Sequence, residues 1–176
     1  MNTEETKDER TETSIRVYLT NLGAYNSGKL IGQWLNLPMS EEDLEKAVKE
    51  VLGNNEEYFI TDYEAPFTIG EYDNLTELNE FAEEFEDLRD EEKDAIAYLL
   101  EYGGYDDKQT ALDNRDEVII YYDTNLADVA EQLVDDGIFG EIPESIQNYI
   151  DYEKIANDLL HDGYTEIDGN VYEHKS

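Results

Sequence analysis

Apolar residues recur every three or four positions between Asn74 and Asp107, where Leu75, Leu78, Phe81, Phe85 and Leu88 fall on one stripe of a helix. The other face of that helix is carboxylate: Glu77, Glu80, Glu83, Glu84, Glu86 and Asp87. Asp90, Glu91, Glu92 and Asp94 then open a second helix, with Arg89 and Lys93 as partial relief. Ala95, Tyr98, Leu99 and Tyr102 supply its inner face, Asp90 is placed to cap it, and Gly103-Gly104 ends it. A short third helix is expected around residues 108–112.

Upstream the period changes. Ile15, Val17 and Leu19 alternate with Arg16, Tyr18 and Thr20, the two-residue repeat of a half-buried strand. Asn21 to Gly28 is rich in turn formers and reads as a loop, and Leu30 to Leu37 reads as a second strand carrying the only tryptophan, Trp34. Ser40 with Asp43 three residues later starts a helix whose buried stripe is Leu44, Val48 and Val51 and whose stop is Gly53. Tyr58 to Asp62 is the third strand. Downstream, the run Val118 to Tyr122 suits a strand, Leu126, Val129, Ala130, Leu133 and Val134 a helix stopped by Gly137, and Pro143 the first turn of another. Tyr152, Ile155, Ala156 and Leu159 mark a last helix. Asp168-Gly169-Asn170 is the turn of a terminal hairpin.

These elements predict an α+β chain with three small domains in series. An acidic disordered lead-in over 1–13 precedes an N-terminal α+β domain at 14–72, an acidic helical domain at 73–113 and a C-terminal α+β domain at 114–176. Units of this size lie near the lower limit of independent stability and should lean on one another.

Charge sharpens the picture. Asp and Glu number 46 against 12 Lys and Arg, a formal charge of -34. So strong a bias often means disorder, but 39% hydrophobic residues and 14 tyrosines at structured spacings indicate a folded chain with an extreme surface. That surface repels nucleic acid and anionic lipid and favours basic partners. With no cysteine, there is no disulfide framework, thiolate nucleophile or zinc-thiolate site. The polar first residues do not read as a signal peptide and no run reaches membrane-spanning length, so the cytoplasm is the expected location.

Catalytic chemistry finds little footing. Carboxylate pairs are too abundant to single out an acid and base. Neither Asp106-Asp107 nor Asp135-Asp136-Gly137 matches the spaced ligands of a calcium loop. His161 and His174 lack any zinc or triad context and read as surface residues. The segment Gly23 to Leu30 lacks the Ser or Thr that a phosphate-binding loop needs after its lysine. The expectation is a protein that is not an enzyme and needs no cofactor or metal.

Two features point outward. Ile138 and Phe139 stand between glycines in a connection between helices, where Phe139 either folds back into the core or meets a second copy. The acidic face is the other. It could serve solubility, bind a basic partner as an adaptor, or imitate nucleic acid. Carboxylates three or four residues apart on a helix stand roughly 5–6 Å apart. Duplex DNA carries a charge about every 3.4 Å of axis per strand.

Several stretches together resemble the ArdA antirestriction family of DNA mimics: Val17 to Gly28, Gly32-Gln33-Trp34 with Leu37-Pro38, Thr61 to Glu64 with Pro66, and Gly70-Glu71-Tyr72. Further on come Leu75 to Asn79, Leu133 to Pro143 and Asn148 to Tyr152, in family order over nearly the whole chain after residue 14. The resemblance implies an elongated molecule of three small domains, paired through the third into a curved dimer whose acidic surface imitates bent B-form DNA. It also implies the target: type I restriction-modification enzymes, met through their methyltransferase and specificity subunits, so that DNA of mobile elements escapes restriction and modification. An acidic module for another basic DNA-binding protein is the alternative. The expected mimic surface comprises Glu77, Glu80, Glu83, Glu84, Glu86, Asp87, Asp90, Glu91, Glu92, Asp94, Glu101, Asp106, Asp107, Asp135 and Asp136. The segment corresponding to Leu126 through Pro143 holds the family's antirestriction motif, and Ile138, Phe139 and Ile142 are the expected dimer contact.

Overall fold

A computed structural model of the chain describes residues 13–175; the expected lead-in lies, but for its last residue, outside them. The described chain is mixed α+β with two three-stranded antiparallel sheets, and it divides into two compact units, one ending at Leu112 and the other beginning at Asp113. The first unit thus holds both the first sheet and the acidic helices.

In the first unit β1 (Ile15–Asn21) lies between β2 (Gly32–Leu37) and β3 (Tyr58–Glu64), with a bulge between Tyr18 and Leu19 on the β3 side. This central position corrects the expectation of a half-buried strand. Ile15, Val17 and Leu19 are fully buried, yet so is Thr20, and Arg16 is only 5% exposed. Arg16 is tolerated because its guanidinium is paired, hydrogen-bonded and stacked. Its Nε donates to Asn36 Oδ1 at 2.7 Å, its Nη1 to Glu64 Oε2 at 2.8 Å, and its guanidinium lies 4.5 Å from the Trp34 ring centre. Asn36 and Glu64 are the direct cross-strand neighbours of Arg16, so register supplies both partners.

The stretch expected as a loop contains a short helix, α1 (Leu22–Asn26), because the Asn21 side chain accepts the Ala24 N–H and nucleates a turn. Leu30 and Ile31 fall outside β2 and are exposed. The helix α2 (Glu41–Leu52) starts as expected, with Ser40 Oγ accepting the Asp43 N–H, and ends at Gly53.

The acidic pair is α3 (Leu75–Glu86) and α4 (Asp90–Glu101), followed by α5 (Lys108–Asp113). Asn74 caps α3 through the Glu77 N–H. Arg89, not Asp90, occupies the cap position of α4; Asp90, Glu91 and Glu92 instead fill its first turn, where negative charge offsets the helix dipole. Gly103 and Gly104 end α4: a Cβ at Gly103 would sit 2.8 Å from the Leu99 Cα, and Gly104 has a φ of +81°. Phe67 packs edge-on against Phe81 and Phe85, with ring centres 5.6 and 5.7 Å away.

In the second unit β6 (Asn170–His174) is central between β4 (Val118–Tyr121) and β5 (Tyr164–Ile167). Asp168 and Gly169 make the hairpin turn with φ of 49° and 83°. The helices α6 (Leu126–Asp135) and α7 (Tyr152–Leu159) bury Val129, Ala130, Leu133, Ala156 and Leu159 against Val171, with Tyr121, Tyr152 and Tyr164 at the margin. Pro143 begins a 3-10 turn, Glu144–Tyr149, in place of an α-helix. His174 is not a surface residue: it lies on the central strand with Nε2 3.1 Å from Glu117 Oε2.

Candidate functional site

The acidic face exists because the opposite face is packed. Leu75, Leu78, Phe81 and Phe85 on α3 are at most 3% exposed, as are Ala95, Ile96 and Leu99 on α4. Each such large side chain contributes about 1.5–3 kcal/mol on burial. A like-charged pair at i,i+3 or i,i+4, such as Glu80 with Glu83 or Glu84, costs only a few tenths of a kcal/mol. Burial wins, and the carboxylates are held where their mutual repulsion alone would not place them.

A second device fixes α3 relative to α2. Asn79 interrupts the apolar stripe, is 8% exposed, and makes a reciprocal pair with the backbone ahead of α2. Its Oδ1 accepts the Met39 N–H at 2.8 Å and its Nδ2 donates to the Met39 carbonyl at 2.9 Å. The result is a groove of about 540 Å³ with Glu41 and Glu45 of α2 on one wall and Glu80 and Glu83 of α3 on the other. On its opposite flank α3 lines a second groove of about 460 Å³, where Glu77, Glu80 and Glu84 meet Asp73, Asp106 and Asp107. Glu80 borders both.

Of the fifteen carboxylates expected on this surface, thirteen are exposed. Glu86 and Glu92 are not. Glu86 accepts the Ser14 N–H at 2.6 Å and lies 3.7 Å from Lys93 Nζ, while Glu92 accepts from Arg89 Nε at 2.9 Å. Glu86 thus ties α3 to α4, while Glu92 braces the first turn of α4. Glu101, although exposed, accepts the Thr68 N–H. Asp107 takes the Thr110 hydroxyl at 2.6 Å and its N–H at 2.9 Å, and the hydroxyl bond, more than the backbone one, holds its carboxyl below the ordinary aspartate range. Glu41 and Glu45 were not among the expected residues. Their i,i+4 spacing behind Ser40 was the available signal, muted by Lys46 and Lys49 on the same helix.

Of the cations beside the acidic helices Arg89 stays exposed, but both lysines are drawn inward. Lys93 Nζ lies 5.7 Å from the Phe85 ring centre, and Lys108 Nζ lies 5.7 Å from that of Phe67 while bonding Asp73 Oδ2 at 3.1 Å. Each positive charge braces the frame more than it dilutes the outward field.

The outward-facing pair in the second unit differs in kind. Asp135 and Asp136 are exposed at the end of α6, and Gly137, with φ of +77°, turns the chain away. Ile138 and Phe139 are 66% and 54% exposed, so Phe139 does not plug the core of its own unit; Ile142 is half-buried. Ile146 and Tyr149, at 50% and 84%, continue the exposed apolar stretch.

Among the described residues no three His, Asp or Glu side chains converge to hold a metal ion, and no helix is long and apolar enough to cross a membrane. Fold and surface together define a small α+β protein whose outward chemistry is a braced array of carboxylates, suited to contact with a basic macromolecule. Residues 17–173 match the model of the antirestriction protein family ArdA, and the chain belongs to that family. Membership implies an antirestriction function, that of an inhibitor whose partner is a restriction-modification enzyme. No curated protein matches the chain.

Proposed function

We propose that the chain imitates B-form DNA and competes with it for the DNA-binding groove of type I restriction-modification enzymes, blocking restriction and modification together. The observation that carries this reading is the set of exposed carboxylates on α2 and α3 that face each other across a groove and are held there by Asn79 and a buried aromatic cluster. A groove lined with Lys and Arg attracts such an array over long range, and fixed charges lose little entropy on docking. Encounter is with the methyltransferase and specificity subunits, in the cytoplasm. No bond is made or broken: inhibition is stoichiometric and no residue is catalytic. The exposed stretch from Ile138 to Tyr149 is the proposed contact with a second copy, which extends the anionic surface.

Competition against duplex DNA for a purified type I methyltransferase tests this. Inhibition should be competitive and should weaken steeply between low and moderate salt, because screening shortens the reach of exposed charge to roughly 8–10 Å. Inhibition indifferent to salt overturns a charge-led mechanism. Capture of histone-like proteins in place of the methyltransferase favours an acidic module for another basic partner.

A further inference from the structure

Besides its charge, the first unit displays a ring that its own fold leaves open. Tyr72 is 74% exposed although it is large and aromatic. It lies nearly parallel to buried Phe59, with ring centres 6.3 Å apart, and Phe59 in turn meets Tyr25 edge-on at 5.4 Å. One face of Tyr72 therefore rests on Phe59 and the other looks into solvent. The turn that presents it is braced at three points. Gly70 N–H donates to Asp73 Oδ2, Asp73 N–H to the Gly70 carbonyl, and Ile60 N–H to the Glu71 carbonyl, tying the turn to β3. Glu71 and Asp73 flank the ring in sequence, and Glu57 stands two residues before Phe59.

An open aromatic face on so anionic a chain selects for one chemistry. Ring and carboxylates both attract a cation, but a planar guanidinium can stack on the ring while bonding a carboxylate, whereas an ammonium is a compact, strongly hydrated point charge. Phosphate has no counterpart to this. We infer that Tyr72, backed by Phe59 and flanked by Glu71, is an arginine-stacking position that makes the acidic surface discriminate arginine from lysine on its protein partner. Tyr72 thereby acts as a specificity residue. The inference rests on the proposed function only for the partner's identity.

Matched oligo-arginine and oligo-lysine peptides, titrated against the full chain, read the discrimination without any restriction enzyme. The arginine peptide should bind roughly two- to fivefold more tightly, the range expected of one exposed cation–π contact. Tyr72→Leu, which keeps an apolar cover over Phe59, should close most of that gap by weakening arginine binding more than lysine binding, and Tyr72→Phe should preserve it. In the unsubstituted chain the Tyr72 ring protons should shift with the arginine peptide and not with the lysine peptide. Equal binding of the two peptides, or a gap untouched by Tyr72→Leu, overturns the inference. A chain that shows the gap but does not compete with DNA for the methyltransferase upholds the arginine position and removes the restriction-enzyme reading.

Discussion

The acidic helices of the first unit and the apolar turn of the second expose opposite chemistries, and their backing differs accordingly. Behind the carboxylates of α3 lie Phe81 and Phe85, rings 5.4 Å apart and almost wholly buried, and Asn79 ties the helix to residues forty positions earlier. Ile138 and Phe139 stand more than half exposed in a glycine-bounded turn after α6, and the 3-10 segment that follows is exposed along its length. Charge acts at a distance and needs a rigid mount to keep its pattern. Apolar surface acts only on contact, and its exposure has a cost that a second copy removes.

The sharpest test of that contrast neutralises charge without touching the mount. Changing Glu77, Glu80, Glu83 and Glu84 together to Gln should lower affinity for a type I methyltransferase by tenfold or more, roughly 1.4 kcal/mol or above, while single changes lower it little because the field is summed. The same fourfold variant should gain up to about 1 kcal/mol in urea unfolding, since like-charge pairs are relieved. A single substitution that abolished inhibition would reveal a local site instead.

Next in size, Asn79→Ala should destabilise the chain by about 2 kcal/mol, because the Met39 N–H and carbonyl each lose a hydrogen bond. Chemical denaturation measures it, and an unchanged midpoint would show that the α2–α3 geometry is set elsewhere. For the second unit, Phe139→Asp should raise the dissociation constant of self-association by about 2 kcal/mol, near thirtyfold, with little change in monomer stability. Sedimentation equilibrium decides, and unaltered self-association would release this turn from the role proposed for it.

The smallest expected effect is alkaline. Burial first, and the neighbouring Glu173 carboxylate second, push the Tyr164 phenol above its ordinary value, and the same two causes raise Tyr121. The fold holds both rings neutral, so their contribution is intact below about pH 10, the unfolded value, and is lost as pH rises through the folded one. Tyr164→Phe should flatten the loss of the second unit's circular dichroism above that pH. If the loss is the same with and without the hydroxyl, the phenol is not its origin.

Much of the fold was legible because periodicity reports burial directly. The stripes of α3, α4 and α6 and the Asp168-Gly169 hairpin could be placed from spacing and turn chemistry alone. What escaped notice depends on tertiary neighbours. Strand β1 alternates like a half-buried strand, but its polar members Arg16 and Thr20 are buried because it lies between two others and Arg16 meets Asn36, Glu64 and Trp34 across the sheet. Asn79 reads as a blemish in an apolar stripe until Met39 is found opposite. His174 reads as a tail residue until β6 proves to be the middle strand. At the surface, counting acids could not separate Glu86 and Glu92, which brace the helices, from their exposed neighbours.

The amide of Asn79 has a further consequence. It joins two acidic walls through neutral bonds to backbone, so the frame is indifferent to which residues stand on the outer turns of α2 and α3. Those outer positions can be rewritten, with carboxylates added, removed or shifted by one turn, about 5.4 Å, along the same rod. A surface repitched in this way could be fitted to a different cationic channel while its foundation stays as it is.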